Sequence, residues 1–171
     1  MNTKGYMEGA TQEFLKFYDA YADALFRHCY FRVYERERAK ELVQDTFMKT
    51  WEYLAKGNEV KNLKAFLYRV ANNLVIDESR RRKPLSLDAL QDEGFDLAVH
   101  DADQVQAKAE AGRIGELLGK LDEHHRKVIV LRYIDGFGPK EIAHILGESE
   151  NVVSVRLHRA IKQISALYEV S

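Results

Sequence analysis

The chain predicts an all-α fold: two small helical domains joined by an acidic linker, the C-terminal one a helix-turn-helix. Three observations carry that reading. Over most of the 171 residues, apolar side chains recur at the three-and-four spacing of amphipathic helices. The pattern lapses once, after Pro84, in an acidic and aperiodic stretch. Beyond it, Asp135 to Ile164 reads as two short helices about a tight turn, the second basic on one face. The predicted units are therefore residues 11–83, a linker 84–103, and 104–171.

In the first unit, residues 1–10 are short, Gly-containing and without period, so they are expected to be disordered or loosely docked. From Thr11, a candidate N-cap, Phe14, Leu15, Phe17, Tyr18, Tyr21, Leu25 and Cys29 recur at helical spacing to about Val33. His28 is expected at the surface beside a buried Cys29. Residues 35–55 give a second helix with Ala39, Leu42, Val43, Thr46, Phe47, Thr50, Trp51 and Leu54 inward and Gly57 past its end. Its outer face carries Glu41, Gln44, Asp45 and Met48, which by composition alone is a wet helix surface and otherwise a docking face for a basic partner helix. A polar loop, Lys56 to Asn62, leads to a third helix capped by Asn62. Leu63, Leu67, Val70, Ala71 and Leu74 form its expected buried stripe, with Phe66 at the margin. Arg69, Asn72, Asn73, Ile76 and Arg80 stand opposite, and Arg81, Arg82 and Lys83 come next before Pro84 ends the helix.

In the second unit a helical pattern resumes at Gln104, with Ala107, Ala111, Ile114, Leu117, Leu118 and Leu121 inward. Asp122 opens a further helix whose Val128, Ile129, Leu131, Arg132 and Ile134 pack toward the helix-turn-helix. Asp135-Gly136 is a turn pair, and Gly138-Pro139 starts a short helix because proline at the first helical position loses no hydrogen bond. Ile142, Ala143 and Leu146 are its apolar stripe. Gly147 stops it, and Ser149 is placed to cap a last helix from about Glu150. On that helix Val153, Leu157, Ala160, Ile161, Ile164 and Tyr168 share the core sector. Asn151, Val155, His158, Arg159 and Lys162 share the opposite one, with Ser154 at its flank and Arg156 near the core edge.

Charge separates along the chain although it sums to −1. Residues 84–110 hold seven acids against Lys108 alone, and residues 56–83 hold eight cations against three acids. A local basic patch on near-neutral surroundings fits a nucleic-acid contact better than a uniformly basic binder. The chemistry agrees at two places. The last helix offers cations for phosphates, Asn and Arg for base edges, and exposed valines for thymine methyl groups. The third helix sets two asparagines and an arginine beside aromatics and a polar loop, a surface able to stack and hydrogen-bond unpaired bases. The run Arg80 to Lys83 also complements the helix dipole, which accounts for its charge without any ligand.

Other classes find no footing in the residues. Paired catalytic carboxylates, a phosphate loop and a metal motif are not evident, so no enzymatic activity, cofactor or metal is expected. His124-His125, in the first turn of the helix that Asp122 opens, is expected to be exposed and unpaired. One cysteine excludes an intrachain disulfide, and no apolar run reaches membrane-spanning length. Together with an N-terminus unlike a signal peptide, this predicts a cytoplasmic protein without membrane insertion.

The segments LVQDTFMKTW and NLKAFLYRVANNLVIDESRRRK, then LDEHHRKVIVLRYIDGFGPKEIAHILG and VRLHRA, resemble the small bacterial sigma factors of the sigma-70 family, the extracytoplasmic-function group. The resemblance runs from about Thr11 to Leu167 with both family domains in order. It implies a monomeric initiation subunit that binds core RNA polymerase and promoter DNA. The second helix would meet the clamp helices of the largest subunit through Glu41, Gln44, Asp45 and Met48, and the polymerase flap is a further implied contact. The loop with Lys56, Asn58, Lys61 and Asn62, together with Asn73, would trap a flipped base of the −10 element. Arg69 and Asn72 would share that surface, and Arg80, Arg81 and Arg82 would hold phosphates of the opening duplex. Asn151, Ser154, Val155, Arg156, His158, Arg159 and Lys162 would face the −35 element. The acidic linker would thread toward the polymerase active-site channel. An anti-sigma factor is a further implied partner.

Departures bear on promoter sequence. Asn151-Val152 stands where the family commonly has Gly-Thr, and Ser154-Val155 where Lys or Arg with Ser is usual. Direct contacts would then be fewer in charge and DNA shape would weigh more. Asp122 replaces a usual proline but still favours a helix start. The alternative from the helix-turn-helix alone is a stand-alone regulator that binds DNA as a dimer.

Overall fold

The computed structural model describes residues 3–81 and 104–169, with side chains described for 9–81 and 109–169. Expectations for the linker 84–103, and for Arg82 and Lys83, lie outside the described residues. The chain divides into two compact units, residues 1–77 and 78–171, and every regular element described is helical.

The first unit is built on α1 (Thr3–Val33), α2 (Arg36–Ala55) and α3 (Leu63–Arg81), whose last turn runs past the unit's boundary at residue 77. α1 starts at Thr3 instead of Thr11, so the expected helix start, and the expectation of disorder for residues 3–10, are corrected. Backbone hydrogen bonds propagate a helix through residues such as Met7, Glu8 and Ala10 without needing an apolar stripe there. α2 buries Ala39, Leu42, Val43, Thr46, Phe47 and Thr50, the face its periodicity predicts. Thr46 and Thr50 are accommodated because each hydroxyl donates to the carbonyl one turn back, Leu42 O at 2.6 Å and Thr46 O at 2.8 Å. Phe47 takes the rings of Phe14 and Phe17 edge-on, each at 6.1 Å, and Phe14 lies 4.9 Å from Trp51. Such ring pairs add roughly 0.5–1.5 kcal/mol each beyond their buried area. Gly57 closes α2 at φ +82, a backbone state that glycine adopts at little cost.

α3 is rotated relative to the stripe expected from its aliphatic residues. Ala65, Leu67, Tyr68, Ala71 and Val75 are buried, whereas Val70 and Leu74 are only half-covered. Two polar features turn the helix. The Tyr68 ring packs edge-on against His28 at 5.2 Å, and the buried Arg32 guanidinium donates to Asn72 Oδ1 at 3.2 Å. His28 is thus a core residue, contrary to its expected surface position.

The second unit comprises α4 (Gln104–Gly119), α5 (Glu123–Ile129), α6 (Pro139–Leu146) and α7 (Glu150–Glu169). Asp122 caps α5 by accepting from the His125 amide at 3.0 Å, as its position predicts. Arg126 stitches α5 to the end of α4 by donating to Leu118 O and Leu121 O, both at 2.8 Å. α5 then widens into one π-turn, Val130–Ile134, closed by Asp135 N donating to Val130 O. Gly147 ends α6 in the left-handed region at φ +66. Val128, Val130, Leu131, Ile142, Ile145, Val153 and Ala160 are fully buried or nearly so, and they lock α5, α6 and α7 into the helix-turn-helix.

Candidate nucleic-acid and partner interfaces

In the first unit, α2 turns Glu41, Gln44, Asp45 and Met48 outward as one stripe along the helix. Met48 is 60% exposed, an unusual placement for a large apolar side chain, and it sits among polar neighbours as a binding anchor would. Local pairs temper the charge of this face. Glu41 pairs with Arg38, and Glu37 accepts from Lys40 at 2.7 Å, which holds the Glu37 carboxyl below its ordinary value. Asp45 is the open carboxylate midway along the stripe.

Between the C-terminal half of α2 and the middle of α3 lies a recess of about 370 Å³, lined by Lys49, Glu52, Tyr53, Lys56, Phe66, Val70, Asn73, Leu74 and Asp77. Tyr53 and Phe66 form a tilted ring pair at 4.8 Å on its wall. The loop is tied to it by Asn58 Nδ2, which donates to Tyr53 O at 2.9 Å. Asn62 Oδ1 accepts from Ala65 N at 3.0 Å, which fixes where α3 begins and so where Asn73 points. Aromatic faces and an exposed amide in one recess can stack a planar base and hydrogen-bond its edge, while the two lysines are matched in charge by Glu52 and Asp77.

Of the residues expected here, Lys56 and Asn73 line the recess, and Asn58, Lys61, Asn62 and Arg69 are exposed. Asn72 is a correction. It is 3% exposed and occupied by Arg32, because the turn of α3 that exposes Asn73 must bury its neighbour. Arg80 and Arg81 are exposed in the last turn of α3. Tyr53, Lys49, Glu52 and Asp77 were missed as lining residues. Their signal was available in part, since 49, 52, 53 and 56 repeat at helical spacing on the edge of the α2 core face.

In the second unit, α7 presents Asn151, Ser154, Val155, His158, Arg159 and Lys162 to solvent, and Val153, Leu157 and Ala160 to the core. Ser149 Oγ accepts from Val152 N at 3.3 Å and sets the start of this face. Arg156 is half-buried and donates to Glu148 Oε2 at 2.6 Å, so it is engaged inside the unit. Ile161 and Tyr168, expected in the core, are 42% and 72% exposed. Ile161 and Ile164 instead line an apolar groove of about 380 Å³ with Ile114, Leu117, Leu118, Ile129, Tyr133, Ile134 and Ser165.

At the base of this unit, partial burial acts to raise the Asp122 pKa, but hydrogen bonds from the His125 ring (2.5 Å) and amide outweigh it. The carboxyl is held below its ordinary range. Among the described residues, no His, Cys, Asp and Glu group is arranged to hold a metal, and no helix is long and apolar enough to cross a membrane.

Residues 17–84 match Sigma-70 region 2, and residues 111–164 match Sigma-70, region 4. The chain is 36% identical to the RNA polymerase sigma factor CnrH of Cupriavidus metallidurans over 75% of this chain and 72% of that protein. It is 29% identical to the ECF RNA polymerase sigma factor SigL of Mycobacterium tuberculosis over 86% and 84%. It is also 28% identical to SigW of Bacillus subtilis over 89% and 87%. Among solved structures, CnrH in complex with the cytosolic domain of CnrY is similar at a TM-score of 0.72 and 27% identity, covering 94% of this chain and 90% of that one. The sigma factor RpoE with the anti-sigma factor NepR from Bartonella quintana gives the same TM-score at 24% identity, covering 94% and 99%, a likeness of fold.

Proposed function

The chain belongs to the extracytoplasmic-function group of the sigma-70 family, and from that premise we propose how its surfaces share the work of starting transcription. As a sigma factor it binds core RNA polymerase and directs promoter-specific initiation. Matches to both regions, in order on one chain, leave the stand-alone dimeric regulator without support.

The α2 stripe of Glu41, Gln44, Asp45 and Met48 meets the clamp helices of the largest subunit. The recess holding Asn73 takes a flipped base of the −10 element. Lys56, Asn58, Lys61, Asn62 and Arg69 surround that contact, and Arg80, Arg81 and Arg82 hold phosphates of the opening duplex. On α7, Asn151, Ser154, Val155, His158, Arg159 and Lys162 face the −35 element. The groove around Tyr133 and Ile161 receives the flap. Residues 11–83 and 104–171 work as the two domains, with the acidic linker 84–103 between them running toward the active-site channel. The protein performs no covalent chemistry and needs no cofactor. It acts in the cytoplasm as a monomer, within reach of an anti-sigma factor.

The observation that carries the opening role is the recess itself: an exposed asparagine amide beside an aromatic wall, rimmed by side chains of both charges, with a volume suited to a nucleobase. Its test is promoter opening by reconstituted holoenzyme with Asn73→Ala. Unpaired thymines near the start site, counted by permanganate reactivity, are expected to fall at unchanged core affinity. Opening at the wild-type level would remove the assignment.

A further inference from the structure

Glu148 lies in the turn between α6 and α7, directly before the Ser149 cap. Both of its carboxylate oxygens face cations. Oε2 accepts from Arg156 Nη1 at 2.6 Å, and Oε1 stands 3.6 Å from Lys127 Nζ on α5. All three side chains are largely covered, at 9% exposure for Lys127, 19% for Arg156 and 26% for Glu148. Charges shielded from water attract more strongly than surface pairs, and a charged hydrogen bond this short is of the strong kind. Arg156 therefore differs from Arg159 and Lys162, whose side chains stand in solvent. To reach a phosphate it would have to leave a carboxylate that is already in place.

We propose that Glu148 is a built-in counter-anion that withholds Arg156 from the phosphates, so that α7 binds DNA through fewer charges than its sequence displays. The inference rests on the reading of α7 as a DNA-facing element. Glu148 is then a positioning residue. It lowers affinity and flattens salt dependence without touching DNA, and keeps the free subunit a weak binder until polymerase adds its own contacts.

The test is duplex binding by the full chain, measured by fluorescence anisotropy on a random-sequence duplex of about 30 base pairs over a salt series. The slope of log affinity against log salt counts phosphate contacts at about 0.9 each. Glu148→Gln, which keeps size but removes the charge and one of the two acceptor oxygens, is expected to tighten binding several-fold at low salt and to steepen the slope by about 0.9. Arg156→Gln is expected to leave the slope where it was and, in the double variant, to cancel the gain. Arg159→Gln is expected to flatten the slope by about 0.9. An unchanged or flatter slope for Glu148→Gln overturns the proposal, as does an Arg156→Gln loss equal to that of Arg159→Gln. Should Glu148→Gln fail to fold, the Arg156→Gln slope alone decides in the same way. If Arg159→Gln also changes nothing, α7 does not face DNA, and that reading falls together with the proposal.

Discussion

Replacing Asn72 with Ala is expected to destabilise the N-terminal unit, whereas replacing its neighbour Asn73 is not. Asn72 and Arg32 are 3% and 4% exposed, and the guanidinium donates to the amide oxygen at 3.2 Å. Removing that acceptor strips one charge-assisted hydrogen bond from a buried donor. Arg32 keeps further contacts, so the loss is about 1–2 kcal/mol, the lower half of the range for removing one partner of a buried hydrogen bond. In a unit of 77 residues each kcal/mol moves the midpoint by about 4–8 °C, giving a drop of roughly 5–15 °C. The chain carries its own reporter. Trp51 is its only tryptophan and packs against Phe14 in this unit, so its fluorescence tracks this unit's melting. Asn73→Ala removes only exposed atoms and should stay within about 0.5 kcal/mol of wild type while losing promoter opening. A wild-type melting curve for Asn72→Ala would refute the argument, since it would mean the buried bond contributes nothing.

Three further outcomes are expected. Asp45→Lys should weaken binding to core polymerase by about tenfold or more while leaving duplex binding nearly unchanged, since like charges in a contact oppose association; equal core affinity in a titration would remove α2 from that interface. Asp122→Ala should cost about 1 kcal/mol at neutral pH through loss of the α5 cap. Because the folded carboxyl titrates below its unfolded value, its stabilisation is present above the unfolded pKa and is lost as pH falls through the folded one. The gap between wild type and variant in denaturant titrations should therefore close in acid, and a constant gap would contradict the assignment. Ile161→Glu puts a charge into the apolar groove at a 42% exposed position, so it should leave the melting midpoint within a few degrees and reduce −35-dependent transcription; a large midpoint drop would show the groove to be core.

Most helices were legible because their apolar residues repeat at 3.6 and their ends carry ordinary stop and start chemistry. Asp122, Gly147 and Ser149 fall where caps belong, and α2 buries the face its sequence displays. α3 was not legible in the same way. Its orientation is decided by Tyr68 on His28 and by Asn72 on Arg32, contacts that span 40 residues in each case. A pattern that scores Tyr and Asn as surface residues cannot see such pairings. The recess around Asn73 was legible in its loop and amide but not in Tyr53 or Asp77, which only the packing of α2 on α3 brings to the same place. Likewise, Arg156 looks like any other cation of α7 until the turn folds back and sets Glu148 against it.

The π-turn at Val130–Ile134 carries a consequence for chain length rather than for any side chain. Widening a helix by one residue resets the phase of the residues after it by about 100 degrees, and Tyr133 thereby ends on the groove side while Leu131 stays inside. Deleting a single residue here would restore ordinary winding, swing the tyrosine away from the groove and shorten the tether that ends at Phe137, whose amide bonds back to Leu131. The π-turn between α5 and α6 is thus a ruler: five residues of ordinary composition whose number, more than whose identity, aligns two surfaces of the same unit.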